Sequence, residues 1–334
     1  MYSANFIKHF KQQLFSLSTQ EFEAKALQLF HFQATYNTTY REYLRLIRRD
    51  NLALVQSTEQ IPFLPIQLFK TFRIETENTP EMLIFESSGT TGQTPSRHYL
   101  KDINFYQKIS QHIFEQFYGS LQDWIILALL PSYLERGNSS LVFMVKHFIE
   151  QTQNPHSGFY LNNMQELAQK LTFLEKNTSK KILLLGVTFA LLAFAQEFAM
   201  PLQRTLIMET GGMKGRQPEL TRSEVHDFLR RAFQVADIHS EYGMTELLSQ
   251  AYSQGQEIFT CPPTMQILLG DKYDVFDVSR SRKRGIIHVI DLANADSCAF
   301  IATQDIGEQV GFNQFKVLGR NNQAEIRGCN LMLC

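Results

Sequence analysis

Three apolar runs of six or seven residues recur along this chain, with helical periodicity in the stretches between and after them: Trp124 to Leu130, Lys181 to Gly186 and Arg204 to Glu209. Helix patterns occupy Met164 to Asn177 and Thr221 to Phe233. Strands apolar at successive positions are buried on both faces, which a mostly parallel sheet flanked by helices requires. The first run, closed by Pro131, reads as a central strand. Ile182 to Ala195 is the most apolar stretch, fourteen residues between Lys181 and Glu197. A membrane span needs roughly 20 such residues, so a buried strand running into a buried helix is expected, and no membrane segment.

Around this α/β part the pattern changes. Phe6 to Arg49 carries Phe10, Leu14, Phe22, Leu27, Leu29 and Tyr43 at helical spacing. Ile61 to Ile66 contains Pro62 and Pro65 and reads as an extended crossing segment. Met82 to Phe85 is a short strand, and helical pattern resumes from Asp102 to Tyr118. After residue 258 the short runs Ile286 to Ile290, Ala299 to Ala302 and Phe315 to Leu318 suit a β-rich sublobe. The expectation is one core domain over 1–334, with a helical part at 1–80, an α/β part at 81–257 and the sublobe at 258–334.

Charge excludes one class of partner. Lys plus Arg number 32 and Asp plus Glu 33, for a net charge of -1, so no basic excess exists to offset a nucleic-acid backbone. The four cysteines, Cys261, Cys298, Cys329 and Cys334, form no C-x-x-C pair, and the nine histidines make no metal-spaced pair. Met1 to Phe30 is interrupted by Lys8, Lys11, Glu21, Glu23 and Lys25, with no apolar leader core, so reduced thiols in a cytoplasm are expected.

Four segments carry chemistry. Directly after the strand at 82–85 come Ser87, Ser88, Gly89, Thr90, Thr91 and Gly92, whose backbone and hydroxyl donors suit phosphate oxygens; a surface turn would use the same letters. The Gly-Lys-Ser/Thr ending of a Walker loop is absent. In Tyr242, Gly243, Met244, Thr245 and Glu246, the last two offer oxygen ligands to Mg²⁺, or Thr245 caps a helix; Tyr242 stacks on a base or packs. Gly211 and Gly212 follow the strand ending at Glu209 and let backbone lie flat against an adenine, or form a plain loop. Asp305 suits the two ribose hydroxyls, and Arg320 a phosphate or the same sugar.

The order of these segments resembles the successive signatures of the adenylate-forming superfamily of acyl-CoA ligases and luciferases. Within it the chain looks most like the acyl-protein synthetases of bacterial luminescence, the LuxE type. Pro62 and Pro65 with Phe69 and Lys70, then Ser96, Arg97 and His98, and the terminal Arg327 to Leu331 fit that type. The resemblance covers residues 60 to 334 and implies the large N-terminal-type domain of that fold. It also implies activation of a fatty acid with ATP to an acyl-adenylate, with Mg²⁺ as cofactor. The acyl group then passes to a cysteine of the enzyme and on to a reductase or carrier protein.

Two departures qualify the resemblance. The common ligase loop continues Gly-x-Pro-Lys, whereas Gly92 is followed by Gln93, Thr94, Pro95, Ser96 and Arg97, leaving Arg97 to serve the phosphates. The chain stops soon after a hinge expected at Gly319 and Arg320, so the mobile lid and its lysine are expected to be absent. Cys329, near the positive charge of Arg327, is the expected acyl acceptor, while Cys261 and Cys298 read as structural. His239 reads as a packing residue. The acid is expected near 131–134 and 186–189, which follow strands. Alternatives are a ligase that passes the acyl group to CoA or a carrier-protein thiol, and an inactive nucleotide-binding subunit.

Overall fold

The computed structural model describes residues 2–76, 80–87, 94–130, 137–161, 163–211, 220–274 and 276–321. Helices α1 (Tyr2–Gln13), α2 (Phe22–Tyr36) and α3 (Thr38–Leu46) come first, followed by β1 (Leu64–Pro65), β2 (Leu83–Glu86), β3 (Arg97–Leu100) and α4 (Ile103–Tyr118). Then come β4 (Trp124–Leu129), α5 (Ser140–Thr152), β5 (Gly158–Phe159), α6 (Met164–Asn177), β6 (Lys181–Val187), α7 (Thr188–Glu197), β7 (Thr205–Thr210) and α8 (Arg222–Phe233). Strands close the chain: β8 (His239–Tyr242), β9 (Ala251–Ser253), β10 (Phe259–Thr260), β11 (Met265–Gly270), β12 (Val278–Ser279), β13 (Arg284–Asp291), β14 (Phe300–Gly311) and β15 (Gln314–Arg320). The chain forms two compact units, one of Met82–Phe259 and one of Met1–Glu81 with Thr260–Cys334.

In the unit Met82–Phe259 the strands run in the order β9-β8-β7-β6-β4-β5. From β4 to β8 every pairing is parallel, and only β9 runs antiparallel. The strand β4, read as central, lies next to the edge, covered there only by the two residues of β5. It is still buried at all six positions, because helices cover both faces. On one face Leu127, Leu184 and Ile207 meet Leu171 of α6, Phe194 of α7 and Leu229 of α8. On the other, Phe114 of α4 contacts Trp124, Phe148 and Tyr252. The stretch Ile182 to Ala195 is β6 turning directly into α7. Gly186 makes that turn possible, since a Cβ there would lie 2.9 Å from both Leu129 and Leu191.

The second unit holds α1–α3, β1 and the antiparallel sheet β12-β11-β13-β14-β15, with β1 parallel to β14. The proline segment is extended as expected, because Tyr40 and Tyr43 donate their hydroxyls to the carbonyls of Pro62 and Phe63 at 2.6 and 2.9 Å. Gln33 of α2 joins α2 to the β13–β14 turn. Its amide nitrogen lies 3.0, 3.1 and 3.0 Å from the carbonyls of Asn294, Ala295 and Ser297, and its oxygen accepts from the Ala299 N–H at 2.9 Å. Lys11 adds a buried ion pair with Asp296 at 2.5 Å. Among the described residues no helix is long and apolar enough to cross a membrane.

Candidate active site

Ligands of open α/β sheets gather at the carboxyl ends of the strands. In the unit Met82–Phe259 those ends carry Thr188 after β6, Glu209, Thr210 and Gly211 at β7, and Glu241, Tyr242 and Gly243 at β8. Thr245 and Glu246 sit in a turn between β8 and β9, closed by the Leu247 N–H donating to Met244 O at 3.0 Å. No helix follows, so Thr245 is not the helix cap that one reading of the sequence allowed. Glu246 is buried, Thr245 and Met244 are half-buried, and Gly243 is exposed. Gly243 is required by packing, because a Cβ there would overlap the Glu241 carboxylate. Tyr242 is buried, with its ring 5.8 Å from Phe259, which favours packing over stacking on a base.

The hairpin β2–β3 carries the first segment. Phe85 and His98 face inward and Glu86 and Arg97 outward, as the pairing Phe85↔His98 and Glu86↔Arg97 dictates. Ser87 shuts the base of the loop: its N–H donates to Ser96 O at 3.0 Å, and its hydroxyl accepts from the Ser96 N–H at 2.9 Å. Arg97, expected to serve phosphate, is ion-paired with Glu86 at 3.0 Å and half of its side chain is exposed. His98 donates from Nδ1 to the carbonyl of Thr245 at 2.9 Å, so the hairpin and the Thr245–Glu246 turn meet. Ser88, Gly89, Thr90, Thr91 and Gly92 lie outside the described residues, as does Gly212.

The network behind these strand ends was not legible as a site. Glu209 is almost fully buried, yet Arg222 Nε is 2.9 Å and His226 Nε2 3.6 Å from its Oε1. Burial raises its affinity for a proton, but the hydrogen bond from His226 and the charge of Arg222 outweigh that and hold the carboxyl below its usual range. Glu241 goes the other way: burial pushes its carboxyl up to about 7, against the hydrogen bond that Thr210 donates to it. A carboxylate ending an apolar strand was the available signal; its partners lie 13 and 17 residues on, at a separation fixed only by the packing of α8. His239 meets Tyr118 Oη at 3.2 Å, and burial lowers its imidazole to about 4, in keeping with a packing role.

In the other unit Asp305 lies within β14, and Arg320 is its partner in β15. Their side chains are ion-paired at 3.2 Å, Asp305 buried and Arg320 exposed. Gly319 and Arg320 therefore belong to a strand and not to a hinge loop; Arg320 also aligns the following Asn321 N–H, which donates to Gln304 O at 2.8 Å. Cys261 and Cys298 are buried and burial pushes their thiols up to about 12, as suits structural cysteines. Cys329 and Cys334 lie outside the described residues.

For a metal, the donors are hard oxygens: the Glu246 carboxylate with the Thr245 hydroxyl. That set fits Mg²⁺, which takes one or two carboxylates and completes its octahedron from phosphate and water. Among the described residues no cluster of three or more His, Cys, Asp or Glu side chains could hold a metal alone.

No family model matches the sequence, and no curated protein matches it. Solved structures do. A 2-hydroxyisobutyryl-CoA ligase in complex with 2-HIB-AMP and CoA is 13% identical, with a TM-score of 0.64 over 89% of this chain and 67% of that one. Apo MatB from Rhodopseudomonas palustris is 14% identical, with a TM-score of 0.51 over 75% of this chain and 50% of that one. A long-chain-fatty-acid-CoA ligase from Archaeoglobus fulgidus is 15% identical, with a TM-score of 0.51 over 74% and 52%. The chain thus spans about half the length of the last two. At these identities the likeness establishes the fold: an α/β arrangement matching the large domain of the adenylate-forming enzymes.

Proposed function

We propose that this chain activates a carboxylic acid, a fatty acid in the closest reading, with ATP. A carboxylate oxygen attacks the α-phosphorus, the bond to pyrophosphate breaks, and an acyl-adenylate forms. The observation that carries this is the hydrogen bond from His98 to Thr245, which ties the segment after the Ser87 loop to the Thr245–Glu246 turn, 147 residues away in sequence. Inside one unit it brings together two of the segments whose order resembles the adenylate-forming signatures. Glu246, with Thr245, would hold Mg²⁺, whose charge offsets that of the phosphates. Asp305 is the proposed ribose acceptor, with Arg320 as its charged neighbour.

The acceptor in this reading is Cys329. Its thiolate attacks the acyl carbon and AMP leaves, giving a thioester that a reductase or carrier protein collects. Such a thiol must stay reduced, which suits a cytoplasm. Incubation with ATP and labelled straight-chain fatty acid, followed by peptide mapping of hydroxylamine-labile label, tests both steps. Label on the Cys329 peptide, lost in Cys329→Ser and kept in Cys334→Ser, is expected, with acyl-adenylate still formed by both variants. Label that persists in Cys329→Ser would give first place to transfer onto CoA or an external carrier thiol. No adenylate in any arm would leave an inactive nucleotide-binding subunit.

A further inference from the structure

Just past α3, Arg48 has a φ of +57°, the left-handed conformation in which glycine is the usual residue at a helix end. Its N–H donates to Arg45 O at 3.1 Å and that of Arg49 to Leu44 O at 2.9 Å, so the chain reverses firmly and Arg49 leaves the helix in a set direction. The Arg49 guanidinium lies 5.2 Å from the centre of the Phe276 ring. The loop that carries Phe276 is fixed in turn. The Asp271 N–H donates to Asp277 O at 2.9 Å, and Arg282 is ion-paired with Asp271 at 3.3 Å and with Asp277 at 2.5 Å.

Arg49 and Phe276 line a cavity of about 130 Å³ inside the unit of Met1–Glu81 and Thr260–Cys334. Its floor is apolar, with Ile61, Pro62 and Val278 all buried. Its rim carries the side chains of Glu59 and Gln60 beside that of Arg49. Gln60 is already committed, since its Oε1 accepts from the N–H groups of Gln56 and Ser57 at 2.8 and 3.2 Å. Glu59 gives one oxygen to the Arg280 N–H at 2.7 Å. Among the described residues Arg49 and Glu59 are ion-paired neither with each other nor with a third group, although they line one small cavity with opposite charges.

Two unpaired charges of opposite sign, an aromatic wall and an apolar floor are the complement of a small zwitterion with an apolar tail. A cavity of about 150 Å³ takes one benzene ring, so this one has room for a branched chain of about four carbons. We propose that it binds an α-amino acid with a branched apolar side chain. The carboxylate would meet Arg49, the ammonium the remaining oxygen of Glu59, and the side chain Ile61, Pro62 and Val278. The proposal does not rest on the adenylation reading, and its test needs no nucleotide.

The test is titration of the full chain with leucine, read by the methyl NMR signals of Ile61 and Val278, which Ile61→Val and Val278→Ile assign. The comparison probes are 4-methylpentanoate, which lacks the ammonium, and 3-methylbutylamine, which lacks the carboxylate. Both signals are expected to shift saturably with leucine, with a Kd on the order of 1 mM, as suits so small a ligand. Each half-charged probe should bind about tenfold more weakly or worse. Arg49→Gln should weaken leucine about tenfold without weakening 3-methylbutylamine, and Glu59→Gln should weaken leucine by the same order without weakening 4-methylpentanoate. If Glu59→Gln does not fold, Arg49→Gln and the two half-charged probes decide. The absence of a saturable shift up to about 20 mM leucine overturns the proposal. So does equal binding of leucine and 4-methylpentanoate, which would make the cavity a plain carboxylate site. An equal loss of all three probes in Arg49→Gln overturns it as well, since that residue would then be structural only.

Discussion

His98 Nδ1 lies 2.9 Å from the carbonyl oxygen of Thr245, and the histidine is almost completely buried. A half-buried carbonyl robbed of its donor costs up to about 1–3 kcal/mol. His98→Leu should therefore lower stability by that order and reduce acid-dependent pyrophosphate exchange about tenfold or more, because the Thr245–Glu246 turn loses its anchor. His98→Gln, whose amide can still donate, should recover most of the exchange. Equal exchange in His98→Leu and the wild type would separate the hairpin from the function of the turn.

Glu246→Gln keeps the shape of the side chain and removes its charge. If Glu246 serves Mg²⁺, acyl-adenylate formation should fall by several kcal/mol in activation terms, on the order of a hundredfold or more. Raising the Mg²⁺ concentration should restore part of it. Exchange that is undiminished would take the metal role away from Glu246.

Asp305→Ala should weaken ATP binding and leave acid binding close to the wild type, as read by calorimetric titration of each ligand. The variant also strands Arg320, but that side chain is 59% exposed, so the loss of their ion pair should cost under about 1 kcal/mol of stability. A large drop in melting temperature with unchanged nucleotide affinity would mark Asp305 as a fold residue.

His288 gives a pH signature to the other unit. Its Nδ1 is 3.1 Å from the Ile286 carbonyl, its Nε2 has no hydrogen-bond partner among the described residues, and a Cβ on Gly270 would overlap its ring. Burial, only partly opposed by that backbone hydrogen bond, lowers its imidazole to about 4. Unfolded, it titrates near 6.5, so between those values the unfolded chain binds a proton that the folded chain does not. Its contribution to stability is full above about pH 6.5, falls as the pH drops toward about 4, and levels below; the whole change is about 3 kcal/mol. In urea unfolding, His288→Leu should flatten the difference between about pH 7.5 and about pH 4.5 by that order. An unaltered slope would assign the acid sensitivity to other groups.

The elements most legible in the sequence are those whose own periodicity decides them. Helix α6 occupies Met164–Asn177 as its pattern predicts, with Asn163 capping it through the Glu166 N–H. The fourteen-residue apolar stretch divides into β6 and α7 as expected, since neither element alone could bury it. Position within a sheet is a different matter: Trp124–Leu129 has the composition of a central strand, yet its rank comes from pairings at long range. The segment around Asp305 reads as a motif between short strands, whereas β14 runs from Phe300 to Gly311, because β13 pairs with it from Phe300 to Glu308 and β15 takes over from Asp305 to Gly311. At the candidate site, the glycines and the Thr245–Glu246 pair stand out because phosphate and metal chemistry would call for such letters. Thr188, Arg222 and His226 are ordinary letters, made relevant only by converging on Glu209.

The bonds from Gln33 to the turn at Asn294–Ser297 have a consequence for how the protein is made. They join residues up to 264 positions apart, and the unit they hold is assembled from both ends of the chain. At a synthesis rate of about 5–20 residues per second, α2 leaves the ribosome roughly 13–50 s before the segment that will cover it. Throughout that interval Phe30 lacks the Phe300 ring that packs against it, while the continuous unit Met82–Phe259 can finish its own core in between. The order of synthesis thus leaves α1–α3 unhoused until the segment after Thr260 emerges, and the nascent chain carries an adhesive surface throughout that interval.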